Sequence, residues 1–206
     1  MSTDRAGEPA PAPAGTGGQP GKRRADAERN RVLLLAAARE AFAEADDDSA
    51  VSLEGIARTA GVGIGTLYRN FATRSALVEA LYASELDEVT GVAAGLLHER
   101  SGAEALRIWF DHYALFVAAK RGLLGALRES WTGAPERMAE THDRISATVA
   151  RLLAAGSEDR TLRRDVPADD VTDLLVGLFL ATDPRDSARV GRRLDLLLDA
   201  LRPRSG

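Results

Sequence analysis

From residue 25 to residue 201 the apolar positions of this 206-residue chain fall three and four apart, the spacing that gathers side chains on one face of an α-helix. Residues 25–45 carry Val32, Leu35, Ala38 and Phe42 on such a face. DDDSAV at 46–51 interrupts the pattern, SLEGIARTA at 52–60 resumes it briefly, and Gly61 breaks it again. VGIGTLYRNF predicts a second short helix. Thr73 then opens a long one through Leu77, Leu81, Leu86, Val89 and Val92 that ends near Gly102. Further helices are predicted over 103–119, 122–132, 136–155, 168–182 and 187–201, punctuated by Gly122, Pro135, Gly156, Pro167 and Pro184. No segment sustains the two-residue alternation of a half-buried strand. The pattern predicts an all-α chain of about nine helices, with an N-terminal three-helix unit followed by a helical C-terminal domain.

Composition changes this picture mainly at one end. Residues 1–21, MSTDRAGEPAPAPAGTGGQPG, hold almost no large apolar group. Such a segment buries too little surface to offset the entropy of ordering, so a disordered tail is expected over 1–24, reaching the basic Lys22, Arg23 and Arg24. Elsewhere, 45% hydrophobic and 28% charged residues suit a soluble globular protein with a sizeable core. The chain has no cysteine, which excludes disulfides, thiolate metal sites and cysteine nucleophiles. No apolar run approaches the roughly 20 residues that span a bilayer. No membrane partner and a cytoplasmic location are therefore expected. The net charge is −4 and no segment is strongly basic, so any DNA footprint must come from a few placed charges.

One stretch poses a choice. AGVGIGTLYRNF, residues 60–71, has glycines at 61, 63 and 65. A phosphate-cradling loop needs a buried strand before it and a helix after it. What precedes Gly61 is helical, with Leu53, Ile56, Ala57 and Ala60 at helical spacing, and no GK[ST] pair follows. A helix-turn-helix fits instead. Ser52 is an N-cap candidate, Glu54 sits in the first turn, and Val51 and Ile56 have the spacing of a hydrophobic staple. Gly61 supplies the turn. Gly63 and Gly65 each weaken a helix by roughly 1 kcal/mol relative to Ala. They mark either a frayed helix start or a backbone that must approach DNA closely.

RVLLLAAAREAFAE followed by VSLEGIARTAGVGIGTLYRNFATRSALVEALY resembles the DNA-binding domain of the TetR family of bacterial transcriptional regulators. The likeness covers about residues 29–82. It rests on the helical AA..AF segment, IA..AGV, the GTLY opening, the NF pair and the arginine shortly after. Trp109, Tyr113 and KRGL at 120–123 are similar to a subgroup of that family. The resemblance implies an all-α homodimer, a helix-turn-helix domain over 25–75, and an effector-binding and dimerisation domain over 76–206. The positions matching the family's DNA contacts are Ser52, Gly63, Ile64, Gly65, Thr66, Tyr68, Arg69, Asn70 and Arg74. The family often has Ser where Gly63 stands and His where Asn70 stands. The implied partners are double-stranded operator DNA, an unknown small-molecule effector and a second copy of the chain.

The residue chemistry separates roles. Ser52 and Thr73 are capping candidates whose helix N-termini suit phosphates. Arg74 is a cation in a first helical turn, against the helix dipole, which a phosphate contact would explain. The Tyr68 hydroxyl is expected on a phosphate. Thr66, Arg69 and Asn70 are the base-reading candidates, for a thymine methyl, guanine and adenine. In the C-terminal part, Trp109, Tyr113 and Phe116 share one helix face, with Phe110 and His112 beside it and Trp131 following. This is either core packing or the lining of a ligand pocket. Leu174, Leu178, Leu194 and Leu198, on the last two helices, are the expected dimer interface. His98, His112 and His142 are far apart, and no Ser–His–Asp arrangement occurs, so neither catalytic residues, a metal nor a cofactor is expected. The regulator reading stands beside two others: an all-α enzyme with a vestigial N-terminal domain, and a DNA-binding protein of the same fold that answers to a protein partner or to no ligand.

Overall fold

Proline tolerates the first turn of a helix, because the N–H it lacks has no intrahelical partner there. In the computed structural model, which describes residues 20–45, 48–123, 125, 127, 135–183 and 186–204, helix α1 runs Pro20–Glu44. It starts inside the segment 1–24 expected to be disordered. KRRADAER supplies good helix formers that carry the helix N-terminal of its apolar stripe. The stripe also differs from expectation. Leu34, Ala37, Ala38 and Phe42 are buried and Leu35 is half-buried, while Val32 is 59% exposed. The run VLLL offers several equally apolar registers, and packing against neighbouring helices selects one.

A short 3-10 turn, Asp48–Ala50, leads to α2 (Leu53–Thr59) and α3 (Ile64–Asn70). Ile56, Ala57, Leu67 and Phe71 close a core with α1. The turn between α2 and α3 is a Schellman motif: the Gly61 N–H donates to Arg58 O at 3.1 Å and the Val62 N–H to Ala57 O at 2.9 Å. Gly61 has φ +69°, the left-handed region this motif requires.

Thr73 caps α4 (Arg74–Glu99), accepting from the Ala76 N–H at 3.1 Å. Buried residues run the length of α4, from Leu77 to Ala93, within a core that is continuous from α1 to α8. The expected boundary at 75/76 therefore falls near the start of one uninterrupted helix. Four more helices follow: α5 (Gly102–Gly122), α6 (Pro135–Glu158), α7 (Ala168–Leu180) and α8 (Ser187–Ala200). The described residues thus form eight helices and no strand. The helix expected over 122–132 falls mostly outside them.

α5 is the central post, packed against α1, α4, α6 and α8. Its start meets α6 backbone to backbone, and a Cβ on Gly102 would lie 2.1 Å from the Gly156 nitrogen. Gly156 is inside α6 rather than a break after it. A Ser101–Glu104 capping box closes the α5 N-terminus, and Asp159 accepts the Gly102 N–H at 2.7 Å.

The register of α1 is testable by calorimetry. Leu34→Ala should cost about 2–5 kcal/mol as a buried truncation, and Val32→Ala about 0.5 kcal/mol or less as a surface one. Equal losses would contradict the observed stripe.

Candidate DNA interface and the C-terminal interior

α3 exposes one polar ridge. Leu67 is fully buried and anchors the helix, so the opposite face must point outward. Tyr68 is 48% exposed and its hydroxyl has no hydrogen bond among the described residues. Arg69 is exposed and donates to the Thr66 hydroxyl at 2.8 Å. Asn70 Nδ2 donates to the Thr66 carbonyl at 2.9 Å. Thr66, Arg69 and Asn70, the base-reading candidates, are thus tied into one cluster. Ile64 lies at the edge of this ridge, 37% exposed.

The two glycines that open α3 have no reason inside the chain. Gly63 is the N-cap residue with φ −71° and ψ 149°, a conformation open to any residue. Neither Gly63 nor Gly65 would bring a Cβ within 4 Å of another group. Gly61 differs, because its φ demands glycine.

Ser52 is exposed and caps α2: its Oγ accepts from the Gly55 N–H at 3.1 Å and donates to Glu54 at 3.0 Å. A backbone hydrogen bond, then the Ser52 hydroxyl, hold the Glu54 carboxyl below its usual range. Thr73 does the same capping work for α4. Arg74 is half-buried rather than projecting. Its Nη1 donates to Val51 O and its guanidinium lies 5.3 Å from the Phe42 ring centroid. Arg74 ties α1, the α2 approach and α4 together. Arg58, which the sequence places three residues before the turn glycine, is exposed on α2.

The aromatic residues of α5 form an interlocked stack. Trp109, Phe110, Tyr113 and Phe116 are all buried. Trp109 and Tyr113 stack at 5.5 Å, and Tyr113 meets Phe179 of α7 edge-on at 5.6 Å. Phe116 packs against Tyr82 of α4 at 5.7 Å. The Trp109 indole donates to Val89 O at 2.8 Å, so its polar handle is satisfied by α4. These residues are core as they stand. His112 is only half-buried, and Trp131 lies outside the described residues.

The polar groups around this stack are not all paired. The Tyr82 hydroxyl bonds Thr141 of α6 at 2.9 Å. The Tyr113 hydroxyl has no partner among the described residues. Burial, with Tyr82 nearby, pushes the Tyr113 phenol up to about 12. Lys120 Nζ lies 5.7 Å from the Tyr82 ring centroid, and burial pulls its ammonium below the usual lysine range. Tyr113, Phe116 and Lys120 are three and four apart on α5, a spacing that placed Lys120 with the stripe in the sequence.

The last two helices divide their leucines differently from expectation. Leu194 and Leu198 are buried within this chain, at 0% and 6% exposure, and belong to its own core. Leu174 is 58% exposed and Leu178 half-buried, as an interface would need. On α8 the outward leucine is Leu196, 69% exposed, with Leu197 half-buried. The LLL run at 196–198 permits either register, and contact with α5 draws Leu194 and Leu198 inward. Leu174, Leu178, Leu196, Leu197 and Arg193 line an open groove of about 880 Å³ between α7 and α8.

An N-terminal helix-turn-helix with an exposed polar second helix, carried on a larger helical domain, defines a DNA-binding transcriptional regulator. Residues 34–81 match the family described as bacterial regulatory proteins, tetR family. Residues 101–203 match the C-terminal domain of SbtR-like transcriptional regulators. The solved structure of a TetR transcriptional regulator from Streptomyces coelicolor is 38% identical, covering 85% of this chain and 99% of its own, with a TM-score of 0.76. One from Mycobacterium vanbaalenii is 34% identical, covering 88% and 99%, with a TM-score of 0.70. A curated HTH-type transcriptional regulator from Staphylococcus aureus is 34% identical over 68 residues, 33% of this chain and 36% of that protein. The chain belongs to the TetR family of transcriptional regulators.

Two stability measurements follow from these geometries. Gly65→Ala should raise stability by roughly 1 kcal/mol through helix propensity, and Gly61→Ala should lower it by about 1–2 kcal/mol through left-handed strain. The opposite signs would refute the distinction drawn between the two glycines. Tyr113 makes stability fall in alkali. A phenol whose folded value is raised contributes fully below the unfolded value of ~10, and that contribution is lost as the pH rises toward about 12. Tyr113→Phe should therefore flatten the fall in Tm above pH ~10. An unchanged alkaline slope in calorimetry would show the phenol ionising freely.

Proposed function

We propose that this protein is a homodimeric repressor that reads an inverted-repeat operator with α3 and is released when a small amphipathic effector enters the C-terminal interior. The observation that carries the reading is the α3 ridge, with its two glycines that nothing in the chain requires. Missing side chains at Gly63 and Gly65 let the backbone reach the DNA surface. Thr66, Arg69 and Asn70 then meet base edges. Tyr68, the Ser52 and Thr73 helix ends and Arg58 meet phosphates, which fix register without reading sequence. Arg74 holds the unit together. Residues 25–75 bind DNA, and 76–206 dimerise and hold the effector.

The groove and exposed leucines of α7 and α8 support dimerisation. Leu174, Val176, Leu180 and Leu196 form a surface too apolar to favour water, and a two-fold axis through it pairs like with like. The effector displaces part of the Tyr113–Phe116 stack, with Trp109 and Phe110 as floor and His112 toward the rim. α6 is tied to α4 by Tyr82–Thr141, by Arg144–Asp87 at 2.7 Å and by Arg137–Glu79 at 3.3 Å, so swelling of the interior pushes on α4. A coupling of about 1–3 kcal/mol changes operator affinity by about 5–150-fold.

Selection of bound duplexes from a random library tests this. The expected product is an inverted repeat whose half-sites lie roughly 10 base pairs apart. Arg69→Ala and Asn70→Ala should relax particular positions by about 1–3 kcal/mol each. Leu196→Glu should give a folded monomer that binds the selected site weakly. Enrichment of no palindrome, or a dimer that survives Leu196→Glu together with Leu174→Glu, would defeat the proposal.

A further inference from the structure

We infer that the effector is an anionic amphiphile, with a carboxylate that pairs with Lys120 Nζ while its apolar body lodges among the rings around Phe116 and reaches toward the Tyr113 hydroxyl. The inference rests on the effector reading above and names the chemistry of that site.

Lys120 is half-buried and forms no ion pair with any described residue. Its ammonium lies 5.7 Å from the centroid of the Tyr82 ring. A lysine that merely covers apolar surface keeps its ammonium in water, whereas Lys120 turns its ammonium toward the Tyr82 ring and burial pulls it below the usual lysine range. A lysine in the last turn of a helix also favours the helix dipole. Arg121, in the same last turn, is engaged at the end of α7, donating to Phe179 O at 2.7 Å and Thr182 O at 3.2 Å. The acids on the nearby α4 and α6 surface are largely engaged elsewhere. Glu79 pairs with Arg137 and Asp87 with Arg144, while Glu140 is exposed. Among the described residues, Lys120 therefore has no counter-charge.

Tyr113 makes the second, independent point. It is 5% exposed, and its hydroxyl donates to nothing among the described residues. A buried donor without an acceptor costs free energy that an incoming acceptor recovers. One turn of α5 separates Tyr113 from Phe116, and another separates Phe116 from Lys120. A cation at one end of this helix face, an apolar ring one turn away and a buried donor beyond it match a ligand with an oxyanion at one end and a hydrocarbon body. A neutral ligand leaves the ammonium unpaired, and a cationic one is repelled by it.

The test uses matched probes on the full chain: octanoate, octanol and octylamine, then naphthoate, naphthylmethanol and naphthylmethylamine. Thermal shift and tryptophan emission report binding, and release of the selected operator reports function. The carboxylates should raise Tm and release DNA more than their partners. Lys120→Met should weaken carboxylate binding by about tenfold or more, and Lys120→Arg should restore part of it. The Tm of the ligand-free Lys120→Met protein should equal or exceed that of the wild type, because an unpaired buried charge is gone. A lower Tm means the lysine is structural and overturns the inference. So does an undiminished carboxylate response in Lys120→Met, or carboxylates that bind no better than alcohols and amines. Release of operator by alcohols or amines sinks the anionic head group and leaves the effector reading standing. Silence from every probe counts against both.

Discussion

α4 is the constraint on which the rest depends. It is one unbroken helix of 26 residues, about 39 Å long at the rise of an α-helix. Its first turn is pinned into the DNA-binding unit by Arg74 on Val51 O and Phe42. Arg39 of α1 ties on further along, pairing with Glu85 and with Glu88 at 2.7 Å. Trp109 grips it from α5 at Val89. No hinge glycine or proline falls between Arg74 and Thr90, so the segment behaves as a lever rather than a joint.

That rigidity accounts for the economy of the DNA-binding unit. α2 and α3 are seven residues each, too short to be stable alone. They persist because Ile56, Leu67 and Phe71 bury against α1, and because local signals set each end. Ser52 starts α2, Gly61 ends it, and Thr73 starts α4. These were all legible in the sequence, since a cap or a left-handed glycine is a property of two or three neighbouring residues. With no basic field on a chain of net charge −4, accuracy of placement has to supply what charge density does not.

The less legible features share one cause. VLLL at 32–35 and LLL at 196–198 have apolar residues on every side of the helix, so periodicity cannot say which face is inward. Only tertiary contact decides, and it buried Leu34 and Leu198 while leaving Val32 and Leu196 out. Arg74 misled for a related reason. A cation against the helix dipole is explained equally by an external anion or by a carbonyl and a ring within the fold, and Val51 and Phe42 lie far from it in sequence. The start of α1 was obscured because helix propensity without apolar content looks like a tail.

The aromatic stripe was read as either core or pocket, and the structure gives both halves of a reason to keep that pair together. A stack that served packing alone would place no phenol without an acceptor and no ammonium without a counter-charge beside it. A preformed cavity, on the other side, would not fill itself with Trp109, Tyr113 and Phe116 at ring-contact distances. A closed interior that leaves the Tyr113 hydroxyl without a partner among the described residues is a compromise between ring packing and polar satisfaction.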